Sequence, residues 1–235
     1  KLTGPLASAP PFGELRAAME PVAAALARLS KAQAECAKEL KSLSKSHAGS
    51  PAWASAGIAA VARLCHDPAA AADAAKTLGC LSNADDANDD LIREAGAVPP
   101  LVAMLSGGIE SEAAGRAAAA LVTLACKAAN KAAIIEAGAI PPLVALLSGG
   151  PESEAAGNAA GALHNLACNN EANKAAVIEA GAVPPLVALL SGGPDSEAAK
   201  NAAVALRNLA CDDEGEAAII EAGAVPPLVA LLSGG

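Results

Sequence analysis

EAGAVPPLVALLSGGPDSEAAKNAAVALRNLAC, residues 179–211, is the stretch whose reading decides the fold. Its opening tetrad, EAGA, recurs at Glu94, Glu136, Glu179 and Glu221, so successive copies start 42, 43 and 42 residues apart. A fixed period of that length is the mark of stacked helical repeats, and it overrides any domain count drawn from length alone. Within the stretch, a short helix closes near Glu179 and Gly181 permits a sharp turn. Pro184 and Pro185 open a second helix that stops at Ser191, Gly192 and Gly193. Ser196 is then placed to cap a longer third helix running from Glu197 to about Cys211. On that helix Ala202, Leu206 and Leu209 share one face, which must be core. Asn201, Val204, Arg207, Asn208 and Cys211 share another, which is free to line a groove when repeats stack.

Working outward, residues 49–90 read as a degenerate first repeat, with Asp67 and Pro68 starting a helix that runs through Ala74, Leu78 and Leu81. Terminal repeats depart from consensus because one side has no neighbour. Upstream, residues 1–12, with Pro5, Pro10 and Pro11, read as an extended arm. Residues 13–48 carry apolar side chains in alternating steps of four and three: Leu15, Met19, Val22, Leu26 and Leu29, then Leu40 and Leu43. That pattern predicts an amphipathic helical extension, packed either on the first repeat or, as a docking helix, on another chain. At the other end the chain stops at Gly235, after the second helix of a repeat. The expectation there is that the molecule continues, or that another chain covers Leu228, Leu231 and Leu232.

Composition sets what the core is made of. Apolar residues are 53% of the chain but aromatics only 1%, so Ala, Leu, Val and Ile must fill it. No apolar run approaches the length of a membrane span. The net charge of −9 is unevenly divided: residues 1–48 hold seven Lys or Arg against four Glu, so the array itself is the acidic part. An acidic array argues against nucleic acid as the ligand. Cys126, Cys168 and Cys211 repeat with the period, and equivalent atoms in stacked helical repeats lie about 10 Å apart, beyond disulfide reach. They read as reduced, buried and structural, which predicts a reducing compartment, cytoplasmic first, with an organelle interior as the alternative given Lys1 in place of an initiator Met.

EAGAVPPLVALLSGG followed by AAVALRNLAC resembles the second and third helices of the armadillo-repeat family, strongly from about Leu91 to Gly235 and more weakly over Pro51 to Asp90. The resemblance implies an all-α, right-handed α-solenoid with a non-catalytic, protein-binding role. In peptide-binding members such as the importin-α adaptors, third-helix asparagines hold the backbone of an extended peptide and tryptophans one turn earlier form shelves for its side chains. The asparagine position falls here on Cys80, Thr123, Asn165 and Asn208, and the tryptophan position on Lys76, Ala119, Gly161 and Val204. With no shelf, binding of a nuclear-localisation signal in the usual manner is not expected. The groove residues implied are Arg116, Thr123, Asn158, His164, Asn165, Asn201, Arg207 and Asn208, with Arg116 and Arg207 favouring an acidic or neutral segment.

Other chemistry finds no support in the spacing. Cys65 and His66 are adjacent and point apart on a helix. The Gly-Gly pairs end helices rather than follow strands, and no CxxC or HExxH site occurs. Asp85, Asp86, Asp89 and Asp90, like Asp212, Asp213, Glu214 and Glu216, lack the order of a calcium loop and read as solvated faces. No cofactor is expected. Two functions follow: an adaptor holding a protein segment or extended peptide along its concave groove, or an accessory subunit built into a multi-subunit complex through the N-terminal helix and the open end.

Overall fold

Two short helices meeting nearly at right angles, followed by one long helix, make up each complete repeat. The computed structural model describes residues 58–233, apart from 60, 63, 64, 67–69 and 85, all within the unit Ala54–Gly235. The arm, the heptad helix from Leu15 to Leu43 and the Asp67–Pro68 helix start lie outside the described residues. Among those residues there are twelve helices and no strand. α1 (Ala71–Ala84) is the third helix of the degenerate repeat. α2 (Ala87–Glu94), α3 (Val98–Met104) and α4 (Glu112–Leu124) form the first complete repeat. α5 (Ala128–Glu136), α6 (Ile140–Leu146) and α7 (Glu154–Ala167) form the next, and α8 (Glu171–Glu179), α9 (Val183–Leu189) and α10 (Glu197–Leu209) the one after. α11 (Asp213–Glu221) and α12 (Val225–Ser233) are the first two helices of the last repeat.

Local chemistry sets each boundary. The first and second helices meet at 86°, 83° and 85° in the last three repeats, the turn made by a glycine such as Gly181 at φ 76°. Second helices carry proline in their first turn, where its missing N–H costs no helical hydrogen bond. They tighten into a 3₁₀ turn before the Gly-Gly pair. The two glycines of that pair do different things. A Cβ on Gly192 would lie 2.7 Å from the Ser196 hydroxyl and 2.8 Å from Pro151 Cβ, so the first glycine makes room for the capping serine. Gly193, at φ 78° and ψ −179°, adopts a backbone region that is essentially closed to side chains. It is not the left-handed helical well in which a glycine commonly ends a helix.

Ser111, Ser153 and Ser196 cap the third helices by accepting from Ala114, Ala156 and Ala199 backbone N–H groups at 3.2, 3.3 and 3.3 Å. Replacing Ser153 with alanine leaves that donor unsatisfied and is expected to cost about 1 kcal/mol. Urea unfolding would register it as a lower midpoint; an unchanged midpoint would show that the cap contributes nothing.

The third helices α1, α4, α7 and α10 stack in sequence and carry the core. Leu78, Leu121, Leu163 and Leu206 repeat at equivalent positions and are all buried, as are Ala202 and Leu209 on the face assigned to core. Small residues allow the close approach: a Cβ on Gly79 would sit 3.3 Å from Ala120 Cα, and one on Gly157 3.4 Å from Ala198 Cα. Each repeat needs its neighbour. Leu147 and Leu190 are 1% and 2% exposed, while the equivalent Leu232 in α12 is 86% exposed.

Two expectations are corrected. Asp89 is not solvated but 3% exposed, accepting from the Ser82 hydroxyl at 2.5 Å with the Lys127 ammonium 3.7 Å away. Burial pushes its carboxyl above the usual range, against the pull of Ser82 and Lys127. Lys127 also donates to the Asp86 carbonyl, so this acidic cluster ties one repeat to the next. The periodic cysteines are not buried either: Cys126 and Cys211 are exposed and Cys168 half-buried. They lie just beyond the last turn of a third helix, away from the leucine face.

Candidate functional site

The face of the third helices opposite their leucines carries all eight groove residues. They occupy three periodic positions: Arg116, Asn158 and Asn201; His164 and Arg207; Thr123, Asn165 and Asn208. All but the exposed Arg207 are half-buried. The asparagines do something the sequence did not disclose. Each turns its amide N–H back onto the preceding third helix. Asn158 Nδ2 donates to the Gly115 carbonyl at 3.4 Å and Asn201 Nδ2 to the Gly157 carbonyl at 3.0 Å. Two helical turns further on, Asn165 Nδ2 donates to the Val122 carbonyl at 2.8 Å. Asn208 Nδ2 lies 2.8 Å from His164 Nδ1 and 3.5 Å from the His164 carbonyl. An asparagine amide has two donors and an acceptor oxygen, so each of these rungs keeps hydrogen-bonding capacity for a ligand.

The cations are less available than their number suggests. Arg116 lies 3.6 Å from Glu112 and 3.8 Å from Glu154, and Lys131 donates to the Cys168 carbonyl at 2.9 Å. Thr123 turns inward, donating to the Ala120 carbonyl of its own helix at 2.9 Å. Of the two groove arginines, Arg207 has no ion pair within 4 Å among the described residues. Burial, then Arg207 and Lys131, hold the His164 imidazole below its ordinary value of 6.5.

Beside the asparagines, at the N-terminal ends of α7 and α10, lies a recess of about 630 Å³ bounded by Glu152, Glu154, Asp195 and Glu197, with Asn158 and Asn201 also lining it. Sequence reasoning did not single out these carboxylates. The available signal was the glutamate that follows each capping serine, at 112, 154 and 197, once per repeat. Elsewhere, Cys65 is buried and its thiol is pushed up to about 11 by that burial, the reverse of what a nucleophile needs. No group of three or more His, Cys, Asp or Glu among the described residues is arranged to hold a metal ion. No helix there is long and apolar enough to cross a membrane on its own.

One of the positions without a tryptophan shelf is closely flanked. Gly161 stands between two neighbours: a Cβ there would lie 3.4 Å from Val122 Cγ2 on one side and 3.4 Å from Asn201 Nδ2 on the other.

These stacked three-helix units define an armadillo solenoid. The armadillo/β-catenin-like repeat matches residues 127–168 and 169–211, the two repeats built from α5–α7 and α8–α10. Solved structures resemble the larger part of the chain. A computationally designed armadillo repeat protein for modular peptide recognition is 29% identical, over 94% of this chain and 91% of its own, with a TM-score of 0.74. A second designed armadillo repeat protein is 32% identical over 87% of this chain and 89% of its own, with a TM-score of 0.66. A third, in complex with the peptide (KR)4, is 28% identical over 94% of this chain and 87% of its own, with a TM-score of 0.67. No curated protein sequence matches the chain significantly. The chain belongs to the armadillo-repeat family.

Proposed function

We propose that this protein is an adaptor whose third-helix face holds an extended segment of another protein, with a basic side chain of that segment seated in the acidic recess. The asparagine ladder carries the reading. An extended peptide offers N–H groups at regular intervals, and Asn165 and Asn208 each keep the amide oxygen as an outward acceptor, a single repeat apart, while their Nδ2 atoms are engaged inward with Val122 and Cys126 and with His164. The recess supports the choice of charge: Glu154 is paired with Arg116 and Glu197 with Lys200, but Glu152 and Asp195 also border it and have no ion pair among the described residues, on a chain of net charge −9. An acidic segment, favoured by counting Arg116 and Arg207, loses its main attraction once Arg116 is held by Glu112 and Glu154. The likeness to a designed protein that carries (KR)4 agrees with this reading.

Fluorescence anisotropy with labelled (KR)4 and with an acidic octapeptide of the same length tests it. (KR)4 is expected to bind, and to weaken steeply as salt is raised, because the recess is open to solvent and its charges are screened. The acidic peptide is expected not to bind. Equal binding of the two, or none of (KR)4, would overturn the proposal.

A further inference from the structure

One rung of the ladder differs from the others in its partner. Asn158, Asn165 and Asn201 donate to backbone carbonyls, which do not titrate, Asn165 having the Cys126 sulfur as a second acceptor at 3.7 Å, but Asn208 donates to a histidine ring nitrogen. The orientation of its amide is constrained twice: Nδ2 also faces the His164 carbonyl, and the equivalent Asn165 points its Nδ2 the same way, to the Val122 carbonyl. With the NH₂ side turned toward α7, Nδ1 of His164 must be the acceptor, so the ring is neutral with its proton on Nε2.

We propose that His164 is the positioning residue of Asn208, and that its protonation breaks the rung and releases a peptide held on the third-helix face as pH falls. The release rests on the peptide-binding reading above; the breaking of the rung does not. A proton on Nδ1 sets donor against donor at a separation of 2.8 Å. Asn208 then turns its amide so that Oδ1 faces the ring, or the ring swings away. If the amide turns, the oxygen that would accept from a peptide N–H is spent on the imidazolium. If the ring swings, Asn208 loses the contact that orients it.

The surroundings make protonation costly. Lys131 from α5 and Arg207 from α10 are the charged groups that act on the ring, and both are cations. α4 carries Glu112 and Arg116 at its far end, engaged with each other and with Glu154. α6 has no ionisable side chain. On α8, Glu171 and Lys174 pair with each other at 2.7 Å. At the end of α7 itself stands the Cys168 thiol. Burial and the two cations hold the imidazole below its ordinary value of 6.5. The sign follows. A group whose folded value is depressed contributes stability that is complete above 6.5 and is lost as pH falls toward the folded value. The rung is therefore closed at neutral pH and opens on acidification.

The test uses the full chain and its His164→Asn variant, whose Oδ1 takes the place of Nδ1 as an acceptor that does not titrate. Two measurements run from about pH 7.5 to about pH 5, the range in which histidine charge changes. In the peptide-free protein, the side-chain amide resonances of Asn208 are expected to shift on a single titration curve while those of Asn165 stay fixed; in the variant both stay fixed. With labelled (KR)4, wild-type affinity is expected to fall by about tenfold more than that of the variant, the worth of one hydrogen bond. Protonation of the recess carboxylates affects both proteins alike and cancels in the comparison. An Asn208 amide that does not move, or equal losses of affinity in the two proteins, would overturn the switch. If (KR)4 binds at neither pH, the peptide reading fails by itself, and the Asn208 titration still decides whether the rung opens.

Discussion

Tryptophan in place of Gly161 is expected to destabilise the array by about 3 kcal/mol or more, the upper end for forcing volume into a packed interface. Gly161 occupies the position at which peptide-binding relatives carry a tryptophan shelf, so the substitution looks like a restoration. The packing makes it the opposite. Already at the Cβ, a side chain would touch Val122 of α4 and Asn201 of α10, at 3.4 Å each. An indole built on that carbon would press on both side chains, which belong to the helices on either side of α7. Asn201 would also be pushed off the Gly157 carbonyl it now reaches at 3.0 Å. Val204, one repeat on, is half-buried rather than enclosed, and Val204→Trp is expected to cost less than Gly161→Trp. Urea unfolding of the two variants reads the contrast. A Gly161→Trp protein with the midpoint of the wild type would show that the third helices are not held as closely as these distances require.

That glycine illustrates how much of the structure the sequence could disclose. The period of the EAGA tetrad, the prolines at 184 and 185 and the serine at 196 each report a local preference, and the helices begin and end where those preferences put them. The division of the third helix into a leucine face and an asparagine face is also local, since it needs only the helical period. What bonds to what across repeats is not local. Asn165 and Val122 are 43 residues apart, and nothing in an asparagine distinguishes one that meets a peptide from one that meets the helix behind it. Asp89 was misread for a related reason: a run of aspartates looks solvated until Ser82 and Lys127 are seen to close over one of them. The acidic recess escaped because a glutamate after a capping serine already has a sufficient explanation in the helix dipole. Only the stacking of α7 against α10 brings Glu154 and Glu197 to one cavity.

Asn165→Ala combined with Asn208→Ala is expected to abolish most of the affinity for (KR)4, by about a hundredfold, if each residue supplies about 1.4 kcal/mol through its outward hydrogen bonds. The residues stand in adjacent repeats and share no partner, so their effects should nearly add. The same change removes two inward rungs and so costs stability as well, about 1 kcal/mol for each hydrogen bond lost. Stability and affinity can be separated, because the inward and outward bonds use different atoms of the amide. Asn158→Ala with Asn201→Ala removes two inward rungs of the same kind, to Gly115 and Gly157, two helical turns away on α7 and α10. That pair should lower the unfolding midpoint by a similar amount while costing less affinity, since the peptide backbone is assigned to Asn165 and Asn208. If the Asn165/Asn208 variant unfolds earlier but binds (KR)4 as tightly as the wild type, the asparagines are internal struts and any peptide site lies elsewhere. If both pairs lose affinity alike, the peptide is held across the width of the face rather than along one row of amides.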